Sequence, residues 1–187
     1  MNNPGHITLN RLALGPHFGP AALQAITAAN LQQDRLRGQI GHPEYHFDDC
    51  RFAESYAYIE RQERLLFIAL DNGQTALAWA AFGRLIHCAQ DFYAHTNYVR
   101  LWSAREQAAG RPSGAAHIPP LDPELLGSPR LVSGRVFYRW EILSLLPGLR
   151  NYAYRHAPAG SHTAMNLDHA GRGPFFALAM AAAERRT

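Results

Sequence analysis

Apolar positions along the chain recur at helical spacing, and no stretch alternates strictly enough to read as a half-buried strand. Pro20 suits the first turn of a helix over residues 21–37, where Leu23, Ile26, Ala29/Asn30 and Leu31 recur and Gly38 and Gly41 mark the end. Residues 52–72 read as a long amphipathic helix. Phe52, Tyr56, Ile59, Leu66 and Leu70 share one face, and Glu60, Arg61, Glu63 and Arg64 lie largely elsewhere. Residues 74–109 form the central helix, or two helices broken near the run 83–97. Residues 76–88 are apolar almost all round, which predicts burial on most sides. Shorter patterns predict a helix over 136–146, centred on Trp140 and Leu143, and a closing helix over 175–185.

The intervening segments lack periodicity. Residues 1–20 hold three prolines and one short apolar run. Residues 110–135 are crowded with Gly and Pro, and residues 149–174 are again irregular. The pattern predicts an all-α fold: a compact multi-helix domain over residues 1–187 with two long loops, of the kind that serve as lids or surface excursions.

Composition changes this picture little. A hydrophobic content of 47% with 18% charged residues is that of an ordinary globular protein. The net charge of +3 comes with no basic run or basic-aromatic alternation, so patterning gives nucleic-acid binding no support. The two cysteines, Cys50 and Cys88, lie outside any metal or redox spacing, and Cys88 reads as a packed small hydrophobe. The first residues lack a charged and an apolar region, and the apolar runs at 76–82 and 175–183 are too short to span a bilayer. The expectation is a chain without a transmembrane segment, cytoplasmic by default, with export by a signal-independent route left open and no oligomeric state indicated.

The ten histidines carry the candidate chemistry through their positions. His87, Asp91 and His95 are four residues apart in the apolar central run. Steps of four on a helix drift by only about 40°, so all three share one face. Histidine and carboxylate converging from one face are ligands for a borderline metal such as zinc; a polar seam is the plainer alternative. The first and last are about 12 Å apart along the axis. That span favours two ions with Asp91 between them, and burial strengthens the case, because a buried unpaired aspartate is costly. Other ligand-type side chains cluster elsewhere: His6; His42, His46, Asp48 and Asp49; and His162, Asp168 and His169. One of Asp48 and Asp49 also suits a helix cap.

The run His87-x-x-Gln90-Asp91-Phe92-Tyr93-Ala94-His95-Thr96-Asn97 resembles the signature of the Het-C-like branch of the zinc-dependent phospholipase C superfamily, which also contains single-strand-specific nucleases. His46-Phe47-Asp48, Asn166-x-Asp168 with Gly171-Arg172, and His6-Ile7-Thr8 are supporting matches. The resemblance implies a helical enzyme holding two to three zinc ions between helices. His46, Asp48, His87 and Asp91 would take one ion; His95, His162 and Asp168 a second; His6 and Asp91 a third. It implies a metal-dependent phosphoric diester hydrolase acting through metal-bound hydroxide on a small-molecule or lipid phosphodiester; Asp48 or Asp49 is the candidate to orient the water as general base. A nuclease or nucleotidase is the alternative within that chemistry. A di-iron oxygenase-type site and a purely structural metal-binding helical protein are the alternatives outside it, although no Glu-x-x-His pair supports iron.

Overall fold

A computed structural model describes all residues, Met1–Thr187. The fold is all-helical, and its only β features are two isolated bridges, Thr96 with Ser133 and Arg135 with Ser161. The N-terminal segment, expected to be irregular, forms helix α1 (Asn3–Leu14). Pro4 lies in its first turn, where a missing N–H costs nothing, and the Asn2 side chain caps it by accepting from the Gly5 N–H. Then follow α2 (Pro20–Gln32), the short α3 (Leu36–Gln39), a 3-10 turn over Pro43–Tyr45, and α4 (Phe52–Asp71). The central run divides as its pattern allowed, into α5 (Thr75–His95) and α6 (Tyr98–Ala108).

Within the two expected loops lie short helices that periodicity does not reveal. α7 (Pro123–Leu126) is in the first; α9 (Arg150–His156) and α10 (His162–Met165) are in the second. α8 (Tyr138–Leu145) stands between the loops, and α11 (Phe175–Arg186) closes the chain.

α5 is the axis. Every residue from Ile86 to His95 is buried, because α2, α4 and α11 pack around it. One flank of α5 joins the main core through Phe92 and Tyr93, which meet Phe47, Tyr98, Trp102 and Ala179. A fully buried side chain of this size contributes roughly 2 kcal/mol. The Tyr93 and Tyr98 hydroxyls donate to the carbonyls of Pro120 and Pro119 and tie the first long loop over this core. The α2 side is closer still. Gly83 faces Ile26 and Ala29, and a Cβ there would stand 2.3 Å from the Ile26 carbonyl oxygen. This close approach carries the end of α2, with Asn30 and Asp34, up to the His87 face of α5.

The burial of α4 differs from its pattern. Ser55, Tyr58, Gln62 and Ala69 are its buried positions, while Phe52, Tyr56 and Ile59 pack at the core margin. Its second half runs past the core, leaving Phe67, Ile68 and Leu70 exposed.

Candidate metal centre

α5 supplies His87, Asp91 and His95, all buried. α1 brings His6 against them, with its ring stacked on His87 at 4.3 Å between centroids. The turn after α2 brings Asp34. These residues form one set: His6 Nε2 lies 3.3 Å from Asp91 Oδ1 and 3.7 Å from Asp34 Oδ2. His87 Nε2 lies 3.0 Å from Asp91 Oδ2 and 3.7 Å from Asp34 Oδ1. Tetrahedral zinc with nitrogen and oxygen bonds near 2 Å needs ligand atoms about 3.3 Å apart, and one ligand atom from each of the four lies within 4.8 Å of the others. His46 adjoins it, its Nδ1 2.9 Å from Asp91 Oδ2 and 3.1 Å from His87 Nε2. Asp48, His95 and His162 form a second set, their ligand atoms all within 4.8 Å of one another.

Several rings are oriented from behind. His6 Nδ1 pairs with Gln90 Oε1 at 2.6 Å, His87 Nδ1 faces Asn30 Oδ1 at 3.4 Å, and His162 Nδ1 meets Glu141 Oε2 at 3.0 Å. In each, the outward nitrogen has a carboxylate or amide oxygen and Nε2 turns to the centre, as metal-ligating histidines are held. His6 Nε2, His162 Nε2, Asp34 Oδ2 and Asp48 Oδ1 are buried and lack any hydrogen-bond partner. Buried polar atoms are rarely left so. These four lie in the two sets, where a bound cation would partner them; Ser55 Oγ, the Tyr56 hydroxyl, Asn166 Oδ1 and Arg186 Nη1 are also buried and partnerless and lie outside both.

The segment carrying His46 and Asp48 is strained. Phe47, Asp49 and Cys50 have φ of 56°, 54° and 56°, a region costing non-glycine residues about 1 kcal/mol each. The segment is pinned by Asp49 N–H to the Gly134 carbonyl at 3.0 Å and by Cys50 N–H to Ser133 Oγ at 2.8 Å. The result is that His46, Phe47 and Asp48 are all buried, Phe47 in the core and its neighbours at the centre. Gly134 also lies against His162, where a Cβ would come within 2.5 Å of its Cα.

The electrostatics divide the histidines. Burial pushes His87 down to about 4 despite Asp91, so it is neutral and free to ligate. Burial and the adjacent Met1 ammonium oppose charge on His95, but Asp91, Asp48 and Asp168 outweigh them and hold it well above its ordinary value. His162 is raised likewise: burial opposes its charge, and Asp48 and Glu141 prevail. Asp91 resists the upward push of burial and is held well below the usual carboxylate range by the Met1 ammonium and the surrounding histidines. The Met1 ammonium is buried where these carboxylates concentrate negative charge. It donates to Asp91 Oδ1 and lies 3.3 Å from Asp168 Oδ1.

Compared with the ligand groups expected from the sequence, the partition differs. Asp48 stands with His95 and His162 rather than with His87. His6 shares the Asp91–His87 quartet rather than forming a third site. Asp168 reaches His95 Nε2 at 3.2 Å and is part-exposed. Asp49 does not join either set: it is exposed, and its carboxylate accepts from the Val136 N–H at 2.8 Å. His42 pairs with Glu44 at 3.0 Å, and His169 lies beside Tyr154. Pattern reading missed Asp34, Gln90, Asn30 and Glu141. A glutamine inside the most buried stretch of α5 was the one available signal for such supporting groups.

The centre opens into a cleft of about 440 Å³ lined by Asp34, His46, Asp48, His95, His162 and Asp168; His6, His87 and Asp91 lie beneath it. Fold and site together define a helical domain built around a buried histidine–aspartate centre. The chain belongs to the VWA7 N-terminal domain family, whose model matches residues 11–110. Similar curated proteins are von Willebrand factor A domain-containing protein 7 of Rattus norvegicus, 35% identical over 81 residues (43% of this chain, 9% of that protein), and of Homo sapiens, 34% identical over 92 residues (46% and 10%). The chain spans about a tenth of the length of these relatives. No solved structure matches it.

These matches correct the resemblance to the phospholipase C and nuclease superfamily, its Het-C-like branch included. The phosphodiester hydrolase expected from it falls with it, as does the nuclease alternative. The physical reason is that His-x-x-x-Asp-x-x-x-His is what any buried helix needs to aim three ligands from one face. The motif reports a centre and leaves ancestry and reaction open.

Proposed function

We propose that the domain binds two zinc ions, a buried one braced by His6, Asp34, His87 and Asp91 and a cleft-facing one held by Asp48, His95 and His162. The observation that carries this reading is the set of partnerless buried ligand atoms, backed by histidines whose opposite nitrogens are already held. A majority of imidazole donors with carboxylates suits zinc. Closed four-ligand sites brace folds, whereas three protein ligands with an open position mark reactive sites. The inner quartet fits the first description. The outer triad, lining the cleft, fits the second and supports a metal-dependent enzyme acting on a small molecule. Zinc bound there would lower the pKa of a coordinated water toward neutrality.

The chain, incubated with zinc and desalted, is expected to retain about two ions and to unfold at a higher temperature than after chelation. Metal content near zero with an unchanged unfolding temperature would overturn the reading. The closed inner quartet also favours a second reading, in which metal only braces the fold. Chelator-sensitive turnover of activated ester or amide probes separates the two: turnover lost in His162→Ala supports an enzyme, and its absence supports bracing alone.

A further inference from the structure

We infer that the mouth of the cleft docks on an anionic lipid surface. The large apolar side chains flanking it are turned to water from both sides. Leu36 and Ile40 of the α3 region are 75% and 56% exposed, and opposite them Tyr138, Ile142 and Leu145 of α8 are 54%, 59% and 72% exposed. Leu36, Ile40, Tyr138, Ile142 and Leu145 all line the same cleft, so they belong to one face. α8 contains no buried residue, and α9 buries only Ala153. An apolar helix pair with so little core of its own is a site waiting for cover.

Charge identifies the cover. Residues 35–40 and 135–156 carry exposed Arg35, Arg37, Arg135, Arg139, Arg150 and Arg155. The one acidic residue in these two segments, Glu141, is turned inward onto His162 and Thr163. Apolar side chains interleaved with arginine, together with Trp140, Tyr138 and Tyr152, are the composition of an element lying in the headgroup region: apolar groups enter, guanidinium groups meet phosphate and carboxylate, and amphipathic rings settle between. Arg150 itself lines the cleft, the other five flank its apolar rim in sequence, and six such charges are a number that anionic leaflets attract. No helix is long and apolar enough to cross a membrane, so the face lies on the surface. A protein partner would need apolar and acidic groups matched to one contour, whereas a fluid anionic bilayer supplies both without matching.

The test is co-sedimentation of the whole chain with vesicles of phosphatidylcholine, with and without about a third phosphatidylserine, at about 0.1 M salt. Binding is expected on the anionic vesicles, at least roughly tenfold tighter than on neutral ones and weakened by high salt. Leu145→Asp and Ile142→Asp abolish it, and Arg139→Gln reduces it roughly fivefold. Phe67→Asp, at an apolar position away from the cleft that is about as exposed as Ile142, leaves it intact. Chelation leaves it intact as well, which separates this proposal from the zinc reading. No binding, equal binding to neutral vesicles, or indifference to Leu145→Asp would each overturn it. So would a solution dimer that Leu145→Asp dissociates, because a second copy would then be the cover.

Discussion

Glu141 meets His162 Nδ1 at 3.0 Å, while His162 Nε2, across the ring, is buried without a partner. A second oxygen of the same carboxylate accepts from the Thr163 N–H and hydroxyl, so the anchor is itself anchored. An outer carboxylate of this kind fixes ring orientation and raises basicity, and losing it usually costs 10–100-fold in metal affinity. Glu141→Gln should therefore weaken the cleft-facing zinc by roughly that factor and leave the inner ion unaffected. Competition against a chromogenic chelator reads both steps. Equal weakening of the two would argue against the partition into separate sets.

Asp34 has a buried Oδ2 with no hydrogen-bond partner and stands 3.7 Å from both His6 and His87. Without metal, its charge lies beside a second carboxylate, Asp91. Asp34→Asn should leave metal-free stability within about 1 kcal/mol of the parent while abolishing the extra stability that zinc confers through the inner set. Thermal unfolding with and without zinc gives both numbers. A variant that unfolds earlier in the metal-free state would mark Asp34 as a packing residue instead.

Adjacent Asp48 and Asp49 make a sharper pair. Asp48 is buried beside His95 and His162, whereas Asp49 is exposed and fastens Val136. Asp48→Asn is expected to lose one zinc per chain, and Asp49→Asn to keep both, because an amide oxygen still accepts from the Val136 N–H. Metal analysis after desalting decides the matter.

What the chain displays in its pattern is what local physics governs. α11, the extent of α4 and the start of α5 were legible to within a residue or two, because long apolar periodicities announce themselves; the end of α5 at His95 was legible only as a break near the motif. α1 was hidden by prolines that turn out to fit its ends, and α9 and α10, at seven and four residues, are too short to show a period. The centre divides the same way. His87, Asp91 and His95 declared themselves by a spacing of four, since one helix carries all three. Asp34 follows α2 as an isolated carboxylate, and Glu141 belongs to a helix on the far side of the cleft, so only tertiary packing assigns them roles. The burial of Ser55 and Tyr58 rather than a run of leucines on α4 arises likewise, because its apolar C-terminal half extends beyond anything it can pack against. Family membership was not legible at all, since a spacing of four on a buried helix follows from helix geometry and carries no record of ancestry.

With zinc held as proposed, protonation should make the stabilities of the metal-free and zinc-loaded states diverge with pH. His95 and His162 titrate above their ordinary value in the folded chain, so the stability they contribute is complete below about pH 6.5 and is lost as pH rises through their folded values. The buried Met1 ammonium, raised to about 11, works in the same direction from about pH 8 upward. His87, lowered to about 4, has the reverse sign, but its effect is confined to the interval from about 4 to 6.5. Above that interval metal-free stability should fall with pH. Zinc competes with the protons on His95 and His162, so its added stabilisation should grow over the same range. Melting temperatures from about pH 6.5 to 9 with and without zinc should diverge. Parallel curves would remove these histidines from the ligand set.

Gly83 tests whether the centre depends on the approach of α2 to α5. Alanine there would gain about 1 kcal/mol of helix propensity. Its Cβ would sit 2.3 Å from the Ile26 carbonyl oxygen and 2.8 Å from the Ala29 Cβ, and both helices are packed on other sides. Overpacking of this kind costs about 1–3 kcal/mol, and a backbone carbonyl cannot rotate away as a side chain does, so the upper part of that range applies. The expected outcome is a net loss of about 1–2 kcal/mol in denaturant unfolding. Weaker zinc binding at the inner set should accompany it, because α2 withdraws Asn30 and Asp34 from His87 as it yields. Ala29→Gly in the same chain removes the milder contact and leaves the carbonyl clash, so it should restore little. If Gly83→Ala instead raises stability and leaves zinc affinity unchanged, the placement of Asp34 does not rest on this contact.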